Sequence, residues 1–176
     1  RNLELTATLH DGGRRGSLLG VMDRTVTAMG ARKLRHWMTH PLVDLARIKE
    51  RHSAVEEFVR ESLCRDDLRR TLDDVYDLER LNGRIAMATG NAKDLAALRV
   101  SLEKLPQLID YLRQIESPLL TSLRENLDLL PDMVELIATS IVDDPPFVLR
   151  DNIGACEGSH AELDELRSIS REGKGW

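Results

Sequence analysis

Apolar residues recur every three or four positions along almost the whole chain, separated by polar and charged residues. This spacing puts the apolar side chains on one face of an α-helix and therefore predicts helices throughout. Glycine and proline residues interrupt the pattern and predict short connections between the helices. We expect an all-α protein, a multi-helix bundle of about eight or nine helices with at most marginal strand, folded as one domain over residues 1–176.

The block Asp23–Leu42 carries the clearest helix pattern. Two threonines near its start, Thr25 and Thr27, are each able to accept a backbone N–H of the first turn. Pro41 lacks an N–H and disfavours helical geometry at the residue before it, so the helix is predicted to end at His40. The apolar positions of this helix predict an anchor for the protein core, with three core candidates: Met29, Leu34 and Trp37.

Three basic residues and a glycine break the apolar pattern of this block. Arg32, Lys33 and Arg35 are predicted to place positive charge on one side of the helix, and they are our candidates for contacts with a DNA backbone. Gly30 lowers helix stability relative to alanine, which favours a compensating role in a close approach between helices.

Further helices have recognisable starts on both sides of this block. The predicted N-caps are Ser17, Asp44 and Asn91, and Pro118 fits the first turn of a later helix. The helix that follows Asp44 has five apolar residues that we expect on one face: Leu45, Ile48, Val55, Phe58 and Val59. Later segments add three core candidates: Leu78, Ile85 and Leu163.

Composition and charge narrow the picture. Hydrophobic residues make up 41% of the chain but aromatic residues only 3%, so the core must be mainly aliphatic. The net charge of −5 argues against a surface that binds nucleic acid everywhere. The charge is uneven, however, because residues 14–51 contain nine Lys or Arg against three acids, a net of +6. Residues 116–165 contain twelve acids and two Arg, a net of −10.

Two clusters have the side chains that bind metals. Asp73, Asp74 and Asp77 spell DDxxD, a pattern that holds Mg²⁺ in helical isoprenoid synthases because a hard cation prefers clustered oxygen ligands. His36 and His40 are four residues apart, a spacing that can bind zinc from one helix face. Neither cluster has the additional ligands that such a site needs. We therefore interpret the aspartates as a solvated acidic helix start and the histidines as partly exposed polar residues.

No catalytic, cofactor-binding or metal-binding residue is predicted in this chain. Cys64 and Cys156 are too few for a disulfide framework, which favours a reducing, cytoplasmic setting, and neither has a neighbouring histidine and aspartate. The sequence contains no GxxxxGK[ST] or GxGxxG phosphate-binding pattern. It also contains no apolar run long enough to predict a membrane span.

Four blocks, in order along the chain, resemble the core or lever domain of the MutS family of DNA mismatch-repair proteins. The blocks are Ser17-Leu18-Leu19 with Asp23, Thr25, Thr27, Met29-Gly30, Arg32, Leu34, Trp37 and Pro41-Leu42; Asp77-Leu78-Glu79-Arg80 with Arg84; Asp143-Asp144-Pro145-Pro146 with Arg150-Asp151; and Glu162-Leu163-Asp164 with Leu166-Arg167. The resemblance covers essentially the whole chain.

The resemblance implies that the chain is part of a longer, homodimeric ATPase that clamps DNA and senses mismatches. The mismatch-reading domain would precede Arg1, the clamp would follow Trp176, and the ATPase domain would come last. Residues 159–176 would begin a long lever helix that leads to the clamp. ATP and Mg²⁺ would bind the parent protein outside this chain, and its partners would be DNA and other mismatch-repair proteins, with no membrane involved.

Two other classes fit the helical pattern. The chain could be a stand-alone helical scaffold for protein interactions, or a small helical metal-dependent enzyme that uses the DDxxD cluster. The core or lever interpretation differs from the enzyme because it predicts no catalytic activity for this chain by itself.

Overall fold

The computed structural model describes residues 3–146, 155–156, 158–159, 161–162, 164–165 and 168. The predicted all-α class is confirmed, because the elements of the described residues are α1 (Leu18–Met22), α2 (Ala28–Thr39), α3 (Leu45–Arg60), α4 (Ser62–Asp73), α5 (Leu78–Ala86), α6 (Ala92–Glu103), α7 (Leu105–Leu112), α8 (Pro118–Glu125) and α9 (Pro131–Ser140). In this part of the chain, no helix is both long and apolar enough to cross a membrane.

The chain divides into two compact units. Unit 1 comprises residues 1–77 and 104–128, and unit 2 comprises residues 78–103 and 129–176. The interpretation of residues 1–176 as one domain stays a prediction, as does the lever helix over residues 159–176. The core candidate Leu163 lies outside the described residues.

Side-chain caps begin several helices where the sequence predicts them. The oxygens of Ser17, Thr27 and Asp44 accept backbone N–H groups from Gly20, Gly30 and Ala46, at 3.1, 3.0 and 2.8 Å. Thr27 is thus the cap of α2, whereas the neighbouring candidate Thr25 is not. Each cap pairs at least one backbone donor that a helix start leaves without an intrahelical partner. Capping therefore fixes where these helices start.

Unit 1 has its core where α3, α4, α7 and α8 meet. The core cluster consists of Ala54, Cys64, Ile115 and Leu120, with the side chains of Phe58, Tyr111, Leu112 and Leu119 packed against it. Ile115, in the connection between α7 and α8, is only 1% exposed. The core is mostly aliphatic, as the composition indicates.

The predicted apolar face of α3 is wrong for three of its five residues, whereas Ile48 and Phe58 are partly buried. Leu45, Val55 and Val59 are 63%, 61% and 67% exposed. The buried side of α3 instead carries Ala54 and Glu57, while Phe58 packs against the core cluster. Phe58 is one residue from Val59 and three from Val55, so about 100° and 60° separate these side chains around the helix. The larger aliphatic residues therefore define a second, exposed side of α3.

The prediction that α2 anchors the core is also wrong. None of its residues is buried, and Trp37 is 38% exposed. Met29 and Leu34 are half-buried. Gly30 does not serve a close approach between helices, because a Cβ atom there would lie 2.9 Å from Oγ1 of Thr27. Glycine leaves room for the cap of its own helix.

Unit 2 contains α5, α6 and α9, and α6 packs against both of the others. The buried aliphatic residues are Leu81, Ala92, Ala96, Leu102 and Ile137. The candidates Leu78 and Ile85 are half-buried beside them on α5. Asn91 caps α6 as predicted: its Oδ1 accepts N–H of Asp94 at 3.0 Å, and Oδ2 of Asp94 accepts N–H of Asn91 at 2.8 Å.

Candidate nucleic-acid interface

Arg32, the first candidate for a DNA contact, is engaged by an acid of unit 1. Its Nη1 and Nη2 donate to Oδ2 and Oδ1 of Asp77 at 2.8 and 2.7 Å. Two parallel hydrogen bonds of this kind fix both the charge and the orientation of a guanidinium. A phosphate would therefore compete with Asp77 for Arg32.

Lys33 and Arg35 are exposed and form no ion pair within the described residues. They are two residues apart on α2, so their side chains leave the helix about 200° apart. The prediction that the three basic residues lie on one side of α2 is therefore wrong. Contact of any of them with a DNA backbone stays a prediction.

The aspartates of the DDxxD pattern are not arranged as a metal site. Asp73 ends α4, Asp74 pairs with Nζ of Lys104 at 2.9 Å, and Asp77 pairs with Arg32. No group of three or more His, Cys, Asp or Glu in the described part of the chain could hold a metal ion. The interpretation as an acidic helix start is wrong for Asp73, because α5 begins only at Leu78. Asp74 and Asp77 therefore serve in salt bridges.

The two histidines at the end of α2 stack on each other. The ring centroids of His36 and His40 are 4.4 Å apart, and Nδ1 of His40 lies 2.9 Å from Oγ1 of Thr39. Both residues are exposed, which confirms their interpretation as polar surface residues.

Trp37 makes a contact with α3 that the sequence pattern does not reveal. The guanidinium carbon of Arg51 lies 3.8 Å from the centre of the Trp37 ring. A cation over an aromatic face is attracted by the negative charge of the π-system. Trp37 thus packs beneath a charged side chain at the surface and not within a core.

Asp23, between α1 and α2, holds its segment by several hydrogen bonds. Its Oδ1 accepts from Oγ1 and N of Thr25 at 2.6 and 2.9 Å, and its Oδ2 pairs with Arg14. Because these bonds favour the charged carboxylate, with the Thr25 hydroxyl as the largest cause, the pKa of Asp23 is lowered from its ordinary value. The ionised form therefore stabilises the start of the Asp23–Leu42 block.

Glu57 on α3 binds the start of α8. Its two carboxylate oxygens accept the backbone N–H groups of Glu116 and Ser117 at 2.7 and 2.6 Å. Glu57 is 8% exposed, and Ser117 is 3% exposed. A carboxylate that caps a helix from 59 or 60 residues away in sequence cannot be found from local patterns. This link is a buried polar contact between α3 and the start of α8 in unit 1.

The two cysteines are free thiols with different surroundings. Cys64 is buried in the core cluster, and burial, followed by the charges of Glu61 and Asp67, raises the pKa of its thiol. A raised pKa reduces the thiolate that a nucleophile needs. Cys64 is therefore a packing residue.

The MutS domain III family model matches residues 1–170. The chain belongs to the MutS domain III family. Its matches include DNA mismatch repair protein MutS of Symbiobacterium thermophilum, which is 52% identical over 176 residues, covering 100% of this chain and 20% of that protein. MutS of Myxococcus xanthus is 48% identical over 173 residues, or 98% of this chain and 19% of that protein. MutS of Brevibacillus brevis is 47% identical over 176 residues, or 100% of this chain and 20% of that protein.

The chain thus spans about one fifth of the length of these relatives. It contains the helical domain III of MutS, and the family resemblance inferred from the four sequence blocks is confirmed.

Proposed function

We propose that this chain is the helical core of a MutS-type mismatch-repair protein. In that protein it transmits conformational change between the site that responds to ATP and the DNA clamp. The observation that carries the proposal is the MutS domain III match over residues 1–170. The relatives that match across the whole chain are named DNA mismatch repair proteins.

Contacts between residues distant in sequence support a transmitting role. In unit 1, Glu57 binds the start of α8, and Asp74 on the turn after α4 pairs with Lys104 just before α7. In unit 2, Arg99 of α6 donates to Asp143, beyond the end of α9, at 2.5 Å. Closely packed helices that are also joined by such bonds resist smooth deformation and shift between discrete arrangements. Each unit can therefore pass on a displacement as a body.

ATP and Mg²⁺ do not fit the residues of this chain, because the sequence lacks a phosphate-binding loop. We propose that both bind the full-length protein outside residues 1–176. On the basis of family membership we extend the proposal to three partners of that protein: DNA, a second copy of itself and other mismatch-repair proteins.

Activity assays on the 176-residue chain and on the full-length protein test this proposal. We expect ATP hydrolysis and mismatch binding by the full-length protein and neither by the chain alone. Metal-dependent turnover by the chain, abolished by Asp73→Ala, would instead support the enzyme class. Mismatch-independent capture of partner proteins by a full-length protein without ATPase activity would support the scaffold class.

A second proposal concerns direct DNA contact by α2, and it rests on the exposure of Lys33 and Arg35. Each phosphate contact makes DNA affinity fall more steeply with salt. We expect Lys33→Glu or Arg35→Glu to lower the salt slope of the full-length protein by about one per lost contact. Glu50→Gln on α3 provides an exposed control. An unchanged slope in both variants would contradict the proposal, and Arg32→Ala should have a smaller effect because Asp77 already holds Arg32.

A further inference from the structure

Arg51 of α3 lies over the ring of Trp37 and has no acidic partner. Its guanidinium carbon is 3.8 Å from the centre of that ring, and its charge forms no ion pair with any of the described residues. The N–H donors of a guanidinium lie in the plane of the group, whereas an aromatic ring attracts the charge through its face. Trp37 therefore holds the guanidinium in place and leaves its donors available to an anion.

Two further cations lie one helical turn from this contact. Lys33 precedes Trp37 by four residues on α2, and Arg47 precedes Arg51 by four residues on α3. Residues four apart share a helix face and are about 6 Å apart along the axis. Both cations are exposed, and neither is in a salt bridge in the part of the chain that the structure describes. We call Lys33, Trp37, Arg47 and Arg51 the Trp37 cluster.

The acids of this segment leave the positive charge of the Trp37 cluster unpaired. Asp44 is the cap of α3, where its Oδ1 accepts the backbone N–H of Ala46 at 2.8 Å. Glu50 is exposed and forms no salt bridge with a described residue. The surrounding residues 14–51 have a net charge of +6, which attracts a polyanion over a longer range. The cluster thus has three cations whose nearest acids along the chain do not neutralise them.

We propose that the Trp37 cluster binds phosphate groups of a DNA strand, with Arg51 as the central contact and Trp37 as the residue that positions it. A guanidinium matches a phosphate through two parallel hydrogen bonds, and an ammonium group binds one as a point charge. A chain of phosphates can engage all three cations at once. This site rests on the proposed DNA contact of α2 through Lys33 and adds Arg47 and Arg51 of α3. Contacts of this kind bind paired and mismatched DNA alike.

The salt dependence of DNA binding by the full-length protein tests the cluster, measured with a fully paired duplex and without nucleotide. We expect Arg51→Ala and Arg47→Ala each to lower the salt slope by about one. Lys49→Ala is the matched control, because it removes an exposed charge from the same helix about 200° away. The thermal midpoint of each variant shows that it is folded. Unchanged slopes for Arg51→Ala and Arg47→Ala, or an equal decrease for Lys49→Ala, would overturn the proposal.

The positioning role of Trp37 has a separate readout. Trp37→Leu removes the aromatic face and should weaken duplex binding about threefold, whereas Trp37→Phe keeps such a face and should restore most of the affinity. In a protein that already carries Arg51→Ala, Trp37→Leu should have no further effect on binding, because no guanidinium remains to be held. An equal loss with and without Arg51, or no rescue by phenylalanine, would show that Trp37 acts only through the stability of α2.

Two other anions identify the source of the charge that binds. Inorganic pyrophosphate and polyglutamate are each titrated into the full-length protein and its Arg51→Ala variant. We expect neither to bind in a way that depends on Arg51. Binding that is lost in Arg51→Ala, together with an unchanged DNA salt slope, would assign the site to a free phosphate or an acidic protein and overturn the proposal. Every readout is taken without ATP, and Lys33 and Arg35 stay intact in the α3 variants, so failure here is distinct from failure of the transmitting role or of the α2 contacts.

Discussion

Helix α2 and the core cluster of unit 1 differ in a way that sequence patterns alone obscure. Helix α2 has the more recognisable sequence, with its threonine cap, apolar spacing, tryptophan and terminating proline, yet none of its residues is buried. The core cluster draws on Ala54, Cys64, Ile115 and Leu120, from segments without a distinctive motif. A recognisable family motif therefore does not identify the residues that hold the domain together.

The physical reason lies in how each region is covered. Around Ile115, four helices and a connection close over a mostly aliphatic cluster, so little surface remains exposed. Over Trp37, the covering group is the guanidinium of Arg51, which leaves 38% of the tryptophan exposed. Stability should thus depend far more on the core cluster than on α2.

The largest expected effect comes from the core cluster. Ile115→Ala should lower the free energy of unfolding by about 4 kcal/mol, since it removes three carbons from a fully buried site that cannot easily collapse. Urea denaturation of the 176-residue chain measures this change. A loss comparable to that of an exposed substitution such as Val59→Ala would contradict the assignment of the core.

The polar link between α3 and α8 should come next. Glu57→Ala removes the acceptor of two buried backbone N–H groups and should cost about 3 kcal/mol. Glu57→Gln keeps one acceptor oxygen and should cost about half as much. Urea denaturation again provides the measurement, with the exposed neighbour in Glu56→Ala as control. Equal stability of the Glu57 and Glu56 variants would show that the link contributes nothing.

Trp37→Ala sharpens the comparison from the other side. Truncation of a buried tryptophan to alanine would lower the free energy of unfolding by roughly 3–5 kcal/mol. For Trp37 we expect about 1–2 kcal/mol, from partial burial and the contact with Arg51. Arg51→Ala should remove only the cation–π part, about 0.5 kcal/mol. If thermal and urea unfolding gave Trp37→Ala a cost as large as Ile115→Ala, α2 would be core after all.

We expect the carboxylate of Asp23, at the start of the Asp23–Leu42 block, to have a smaller and pH-dependent effect on the free energy of unfolding. Its lowered pKa means that the folded state favours the carboxylate, so its contribution is present above the unfolded pKa and is lost as the pH falls through the folded pKa. Asp23→Asn should therefore reduce the loss of stability between about pH 5 and pH 3. Unfolding curves at several pH values measure the slope. Identical slopes for the variant and the unaltered chain would exclude this role of Asp23.

Local structure could be predicted from sequence where neighbours determine it. The N-caps Ser17, Asp44 and Asn91 could be predicted because each side-chain oxygen accepts a backbone N–H group only two or three residues further along the chain. The all-helical class could be predicted because apolar residues recur every three or four positions along the chain.

Contacts between distant residues could not be predicted. Nothing near Arg32 indicates that Asp77, 45 residues later, binds it, and nothing near Glu57 points to Ser117. The sequence also predicts one apolar face on α3 without indicating which part of it this chain buries. Ala54 and Phe58 face the core, while Leu45, Val55 and Val59 are exposed.

The central claim, that this MutS domain III transmits between nucleotide and clamp, is tested most directly by weakening one helix link in the full-length protein. Glu57→Gln weakens the bonds from α3 to α8, whereas Ile137→Val in unit 2 provides a control expected to cost a similar amount of stability, about 1.5 kcal/mol. The measurement is the rate at which mismatched DNA is released after ATP is added. We predict that Glu57→Gln alters this rate relative to the control while DNA affinity without nucleotide stays the same. An ATP response identical to that of the control would contradict the account.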